Sequence, residues 1–563
     1  MLNPSIRKRA TSSPVFTVPR RAVLGAGVAA LGAGALGACS NAGRGNQNTP
    51  PPNGQLELPI TLERPKIDGT TLSKVEGVPP AYASLPTPGF QSVDKAPGLG
   101  DEVTAFSITW GTAPPLNNNQ WYEAVNKALN ATIKPSIIPA QNFGDKLVTS
   151  IASGDIPWIT TNEPSYRGRA ARKYLPQGVF HDLRELLGGD KVKKYPNLAL
   201  VPQYAWKNSI ISGALYGVPL YRNQTIGGTL CYRKDWLEKG GGTPNPTSLD
   251  ELMAFYKALK AGGGDKTYPL ATIDQSWGFS NQFLNTPNDW LLNSDGTLTK
   301  DLETDEYEQS LVFANKLWQA GLIHPDVLTL TPNAAQYQDY FKSGRVGISN
   351  GSVDAYYGGT GYFAELAKRN PGATGDVLMP GGSDAWIPPD LGWYCMLSIP
   401  SSVTDETKID EILGIMNYFF APAGSKEYYL LRYGVEGHNF EFKDGVPVSS
   451  TDPNIQSEGG FLGNMASAGI GYFFPGFPDD ALACQKWAEK MVAIFKADPT
   501  AGLDSATSFS KGDALSAMTQ DYTNQIITGR KKIGELDDMR KKWKSGGGDD
   551  IRKEYEQAIK DNK

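Results

Sequence analysis

Val103-Thr-Ala-Phe-Ser-Ile-Thr-Trp110 opens the folded part of this chain, and the segments after it decide the fold. The run is rich in β-branched and aromatic residues and alternates in polarity, the period of a strand. Asn119-Gln-Trp-Tyr-Glu-Ala-Val-Asn-Lys-Ala-Leu129 reads as a helix, and Thr132-Ile-Lys-Pro-Ser-Ile-Ile-Pro139 as a second strand. Asp145-Lys-Leu-Val-Thr-Ser-Ile-Ala-Ser153 is helical and is stopped by Gly154, after which Pro157-Trp-Ile-Thr-Thr161 forms a third short strand. Strand and helix alternate, so the domain is α/β with a largely parallel sheet. Ligands of such sheets sit beyond the carboxyl ends of the strands, where Trp110, Asn162 and Glu163 lie.

A second α/β region follows. Gly228-Thr-Leu-Cys-Tyr-Arg233 reads as a strand, and Ser248-Leu-Asp-Glu251 is a capping box that opens a helix ending near Lys260. Another helix spans about Asp305 to Ala320, and the last fifty residues are helical and charged. Upstream, residues 40–100 are rich in Pro, Gly, Asn and Thr and lack a sustained apolar period. They read as a tether giving way to an extended arm.

The extreme N-terminus fixes the compartment. Arg7, Lys8, Arg9, Arg20 and Arg21 precede an apolar stretch from Ala22 to Leu36, and residues 1–38 hold no Asp or Glu. The stretch is short and rich in Gly and Ala for a membrane span. It ends in Leu36-Gly37-Ala38-Cys39, which resembles the lipobox of a bacterial lipoprotein signal peptide. That resemblance implies cleavage before Cys39, a lipid (palmitate-bearing) anchor on Cys39, and a place on the outer face of the cytoplasmic membrane. The arginine pair also resembles a twin-arginine export signal.

The formal charge of −5 falls to −10 once the five leader cations are removed. An acidic chain is a poor partner for nucleic acid or anionic lipid, so membrane attachment rests on the lipid alone. Beyond Cys39 the cysteines are Cys231, Cys395 and Cys484, read as buried small apolar residues that admit at most one disulfide. The three histidines, His181, His324 and His438, do not pair with Cys in a metal-ligand spacing, so no metal or other cofactor is expected.

Several stretches resemble the extracellular solute-binding lipoproteins of ABC importers, in particular the oligosaccharide type. They are Leu147-Val-Thr-Ser-Ile-Ala-Ser-Gly-Asp-Ile-Pro157, Leu215-Tyr-Gly-Val-Pro219 with Leu230–Glu238, and Phe341-Lys-Ser-Gly-Arg-Val-Gly-Ile-Ser349. Tyr433-Gly-Val-Glu-Gly-His438 and Ile527-Thr-Gly-Arg530 with Trp543 follow in the family's order. The resemblance implies a two-lobed periplasmic-binding-protein-like fold of type II. Its lobes would be 101–221 with 346–402 and 222–345 with 403–510, with helices 511–563 packed on them. It also implies a sugar ligand in the cleft, ABC permease subunits as partners, and a monomer. Some relatives carry a calcium loop where this chain has Gly262-Gly-Gly-Asp-Lys266, whose single carboxylate predicts no structural calcium.

A sugar presents hydroxyls on its edges and C–H patches on its faces, so its site needs aromatic plates and planar hydrogen-bonding groups. The candidate ligand-binding residues are Trp110, Glu163, Arg222, Trp277, Asp354, Tyr356, Trp393 and Tyr472. Each has a core or structural alternative. Arg222 hints at an acidic ligand. The rival readings are a binder of peptide or another solute, and a secreted carbohydrate-active lyase or hydrolase. For the latter, Gly347-Ile-Ser-Asn-Gly351 matches a nucleophile elbow with Asp354 and His438 downstream, but the glycine-rich segment after it is a poor helix.

Overall fold

The computed structural model describes residues 57–109, 112–164, 169–328, 334–467 and 469–561. The leader, Cys39 and Trp110 lie outside the described residues.

Strand β1 (Glu102–Thr109) leads to helix α1 (Gln120–Leu129), which buries Trp121, Val125 and Leu129 along one face. The Asn119 side chain accepts the Tyr122 N–H at 2.8 Å, capping the helix. Strand β2 (Thr132–Pro139) runs parallel to β1 along its whole length, with Val103 opposite Ile133. Helix α2 (Phe143–Ser153) ends at Gly154, whose φ of 76° suits the left-handed cap. Strand β3 (Thr160–Asn162) joins the other side of β1 through Ile159, parallel to it. Strand β4 (Val218–Tyr221) is buried throughout, and after it the chain leaves this lobe.

Residues 222–229 cross to β5 (Leu230–Arg233), the centre of a second sheet. Helix α3 (Leu249–Gly263) follows. Its Ser248 hydroxyl accepts the Glu251 N–H, while the Glu251 carboxylate reaches back to Thr247 rather than to Ser248 as the capping box predicts. At its end the Lys260 ammonium donates to the carbonyls of Asp265 and Thr267 at 2.9 and 2.6 Å, holding the Gly262–Lys266 loop. Helix α4 (Asp305–Gln319), β6 (Ile348–Asn350) and β7 (Gly375–Leu378) complete the lobe, and β6 and β7 flank β5 antiparallel.

Two expected boundaries are corrected here. Residues 346–378 belong to the second lobe, because Ser349 and Val377 both pair with Cys231. Phe341–Ser349 is therefore no crossover; the second crossing is the stretch 379–392. It returns the chain to β8 (Trp393–Ser398), which lies between β3 and β4 and antiparallel to both, so the first sheet is mixed rather than largely parallel. Helices α5 (Glu406–Phe419) and α6 (Lys426–Tyr433) then pack into the first-lobe core with Trp206, Val218 and Leu397, not into the second lobe.

A third crossing, through Tyr472, leads to α7 (Pro478–Val492). Helices α8 (Ala506–Ile527), α9 (Leu536–Trp543) and α10 (Asp549–Asp561) pack on the second lobe, where the Asn315 amide of α4 donates to the last carbonyls of α8. Cys231, Cys395 and Cys484 are free and fully buried.

Asp498, in the return segment after α7, is pushed up to about 6, chiefly by burial and then by Asp289, against hydrogen bonds from Thr500. The native state thus holds a proton that the unfolded state has already lost, so this group's contribution falls as pH rises from about 4 to about 6. Asp498→Asn keeps the acceptor for Thr500. It is expected to stabilise the protein at pH 7 relative to pH 4 by about 1–2 kcal/mol, read as the difference between denaturation midpoints.

Residues 57–100 form an arm laid across the surface. Leu62 N–H donates to Ala199, Tyr82 N–H to Tyr472, and Lys426 N–H to the Phe90 carbonyl. Glu427, nearly buried on α6, accepts from Ser92 N–H and hydroxyl at 3.0 and 2.9 Å and from Val93 N–H at 3.3 Å. Glu427→Ala strands those donors. It is expected to cost about 2–3 kcal/mol and to open residues 89–98 to protease, seen as a new early fragment in limited proteolysis.

Candidate functional site

Strand register places the site. β1 and β3 are parallel, so Glu163, just past β3, sits at the same sheet edge as the end of β1. Arg222, just past β4, shares that edge, and so do Trp393 and Tyr394 at the start of antiparallel β8. In the second lobe, Asn350 and Leu378, at the ends of β6 and β7, both lie opposite Leu230, where β5 begins. Tyr268 makes a single parallel bridge to Val346 and Leu270 one to Ile323, so Ala271–Gly278 falls at that same edge, with Asp274–Gly278 touching β6. The two edges meet the crossings 222–229 and 379–392.

The crossings are tied to each other. Arg222 N–H donates to Gly392 and Asp390 N–H to Gln224, each at 2.9 Å. Thr225 and Tyr472 share a hydroxyl–hydroxyl bond of 2.9 Å. The Arg222 guanidinium grips Asp390 through two bonds, Nε to Oδ1 at 2.8 Å and Nη2 to Oδ2 at 2.5 Å, and lies 5.4 Å from the Tyr394 ring centroid.

On the second-lobe edge, Asp274-Gln-Ser-Trp-Gly278 forms one π-type turn, a rare geometry found often at functional sites. Trp277 is half-buried, meets Tyr307 edge-on at 5.3 Å, and its indole Nε1 is buried without a partner. Gln275 is 1 % exposed; its Oε1 accepts from Ala271 and Thr272 N–H, and its Nε2 has no partner. Asn223 Oδ1 and Gln282 Oε1 are likewise buried and unsatisfied. Such atoms are costly unless something completes them. Asp274 is exposed, yet the protein crowding it raises its carboxyl above the ordinary range. Asp354, half-buried past β6, makes no hydrogen bond or ion pair among the described residues, and its charge is felt by Tyr362, Tyr472 and Cys484.

The remaining candidates divide. Glu163 is fully buried, and its charge helps burial raise the neighbouring Cys395 thiol. Three aromatic residues are core or hinge residues instead of exposed plates. Tyr356 is fully buried and its hydroxyl donates to the Thr229 and Gly351 carbonyls. Trp393 is 4 % exposed and its Nε1 donates to the Asn208 carbonyl. Tyr472 is 2 % exposed and holds Thr225. Asp274, Gln275, Asn223 and Gln282 were not singled out by the sequence; the polar run around Trp277 was the signal for the first two. A recess of about 590 Å³ between Gly240–Pro246 and α3 contains none of these residues.

The geometry of an elbow hydrolase is absent among the described residues. Ser349 lies inside β6, fully buried and paired with Cys231, not on a sharp strand-to-helix turn. His438 is held by Glu458 at 3.0 Å, His181 by the Val403 carbonyl at 2.8 Å, and His324 packs between Tyr268 and Tyr340.

A family model described as bacterial extracellular solute-binding protein matches residues 120–431. Two relatives from Bacillus subtilis (strain 168) are each 26 % identical. "Lipoprotein LipO" aligns over 84 % of this chain and 95 % of its own length, and "Polygalacturonan/rhamnogalacturonan-binding protein YtcQ" over 82 % and 92 %. Among solved structures, an extracellular solute-binding protein from Bifidobacterium longum subsp. infantis superposes with a TM-score of 0.62 at 18 % identity, covering 82 % of this chain and 98 % of that one. The N-glycan transport solute-binding protein of Streptococcus pneumoniae gives 0.58 at 17 % identity, covering 82 % of this chain and 100 % of that one.

Proposed function

Since the chain belongs to the family of bacterial extracellular solute-binding proteins, we propose that it captures a sugar or oligosaccharide between its lobes and hands it to the membrane subunits of an ABC importer, chemically unchanged. The observation that carries this reading is the turn 274–278. It sets a half-buried indole at one sheet edge, with an indole N–H and an amide N–H buried there without partners. An aromatic face with unspent donors beside it suits the C–H faces and hydroxyl edges of a sugar ring. The relatives' names point the same way: one binds polygalacturonan, and solved neighbours were determined with Man5GlcNAc and with kestose. Ligand that touches both lobes only when they are shut favours the shut state by differential affinity.

The test is to incubate the purified mature protein with an oligosaccharide library while following both melting and product formation. A binder is stabilised by about 2.7 kcal/mol at a hundredfold excess over Kd and releases every sugar intact. Turnover of any bound sugar overturns the reading.

The lipobox supports attachment through Cys39 at the outer face of the cytoplasmic membrane. Cys39→Ser is expected to move the protein from the membrane fraction to the soluble fraction on cell fractionation, because the lipid on Cys39 is the proposed attachment and the acidic body has no affinity of its own for anionic lipid.

A further inference from the structure

We infer that the arm is a strap across the hinge: held on α7 in its middle and on the first lobe at both ends, it restrains how far the two lobes part. The inference rests on the two-lobed reading above and not on which solute is taken.

Both ends of the strap belong to the first lobe. On one side Thr61 Oγ1 donates to the Val201 carbonyl at 2.7 Å and Arg64 Nη2 to that of Leu200 at 3.2 Å. On the other, the Tyr429 hydroxyl of α6 donates to the Pro86 carbonyl at 3.0 Å. Between them Thr70–Thr71 pairs antiparallel with Ala81–Tyr82, closing a narrow hairpin.

That hairpin is seated on α7. Gln485 is 5 % exposed, and its Nε2 donates to the Thr71 and Pro79 carbonyls at 2.9 and 3.0 Å, one on each side of the hairpin. An amide nitrogen carries two donors, so both are spent on the arm. One turn further along, the Ser73 hydroxyl donates to Glu489 Oε1 at 2.6 Å. Ala81 is buried in one apolar cluster with Ala481 and Cys484. Helix α7 is in turn bonded to the second lobe, where Gly358 N–H donates to Asp480 at 2.8 Å and Trp487 Nε1 to the Tyr357 hydroxyl at 3.1 Å.

The hairpin also pairs with the third crossing. Tyr82 N–H donates to the Tyr472 carbonyl at 2.9 Å and Tyr472 N–H to that of Pro80 at 2.8 Å. A hinge works by letting a few residues absorb the change in φ and ψ, and here one of those segments is clamped along its edge. Parting the lobes carries α7 away from the first lobe, so the strap must either release Gln485 or hold the motion back.

The experiment measures spin-label distances in the ligand-free mature chain carrying Cys39→Ser, labelled at Lys127→Cys in the first lobe and Lys239→Cys in the second. Both positions are exposed, and Cys231, Cys395 and Cys484 are buried. Gln485→Met removes both donors at similar volume, and Ala81→Asp puts a carboxylate into the apolar seat. Each is expected to speed hydrogen exchange in peptides covering 70–83 by about tenfold or more while the lobe cores keep the parent's protection. Each is also expected to widen the spread of label distances by about 1.5-fold or more. A strap that exchanges freely while the distances keep the parent's spread overturns the inference. So does a strap that stays protected in both variants, and so does loss of protection throughout both lobes, which makes the arm part of the core. The sugar-capture reading is judged by the oligosaccharide melts alone and stands under any of these results.

Discussion

Trp277→Ala is expected to weaken oligosaccharide binding by about thirty- to a hundredfold. Aromatic anchors at the centre of a binding surface cost about 2–3 kcal/mol or more when truncated, and each 1.4 kcal/mol is tenfold in affinity. The indole also meets Tyr307 edge-on and packs against the second-lobe core. The empty protein therefore loses about 1–2 kcal/mol as well, and a bare alanine variant mixes two effects. Trp277→Phe separates them: it keeps the edge contact and the plate but removes the unpartnered Nε1. Titration should give Phe a loss of about tenfold with a melting temperature close to that of the parent. A Phe variant that binds as well as the parent would show that Nε1 makes no ligand contact, and an Ala variant that binds as well would remove Trp277 from the site.

Gly228→Ala is expected to be the most damaging single-methyl change in the crossings. Gly228 has φ of +81°, and a Cβ there would sit 2.1 Å from Ile387 Cγ2. Two crossings touch at that point, one from each direction of travel between the lobes. A methyl at left-handed φ adds about 1 kcal/mol of backbone strain, and the overlap adds about 1–3 kcal/mol more. The sum should appear as a lower urea midpoint. Ile387→Ala removes the clashing branch at its own cavity cost, so the double variant should lose less than the sum of the two single losses. That coupling is the signature of direct contact. Additive losses would mean that the crossings adjust independently.

The local grammar of the first lobe was legible from its residues. Thr132–Pro139 is a strand over the residues its alternation indicates, and Asn119 and Gly154 bound helices as capping chemistry requires. Partnership over long separations was not legible. Val346–Ser349 reads as a strand in isolation, but nothing in its composition says that Cys231 is its neighbour. The same holds for Arg222: its carboxylate partner lies 168 positions away, so a guanidinium at a crossing looked available when it was already engaged. Trp393 and Trp277 illustrate the limit for aromatic residues. Both follow polar or glycine-containing turns, yet one donates to a backbone carbonyl inside the core and the other keeps its N–H unspent. The difference is made by Asn208, a residue on another element. Gln275 was passed over because its backbone-binding half looks like ordinary turn chemistry; only the unpaired other end marks it.

The docked arm bears on how far the protein ranges from the membrane. If residues 40–100 all paid out freely, the body would drift well into the cell wall. Leu58, whose carbonyl accepts the Gly189 N–H, lies nineteen positions beyond Cys39, and no conformation of the chain between them spans more than about 63–68 Å. On the anchored-importer reading proposed above, so short a mooring would keep the laden protein within a thin shell above the bilayer, each dissociation followed by a return measured in molecular diameters.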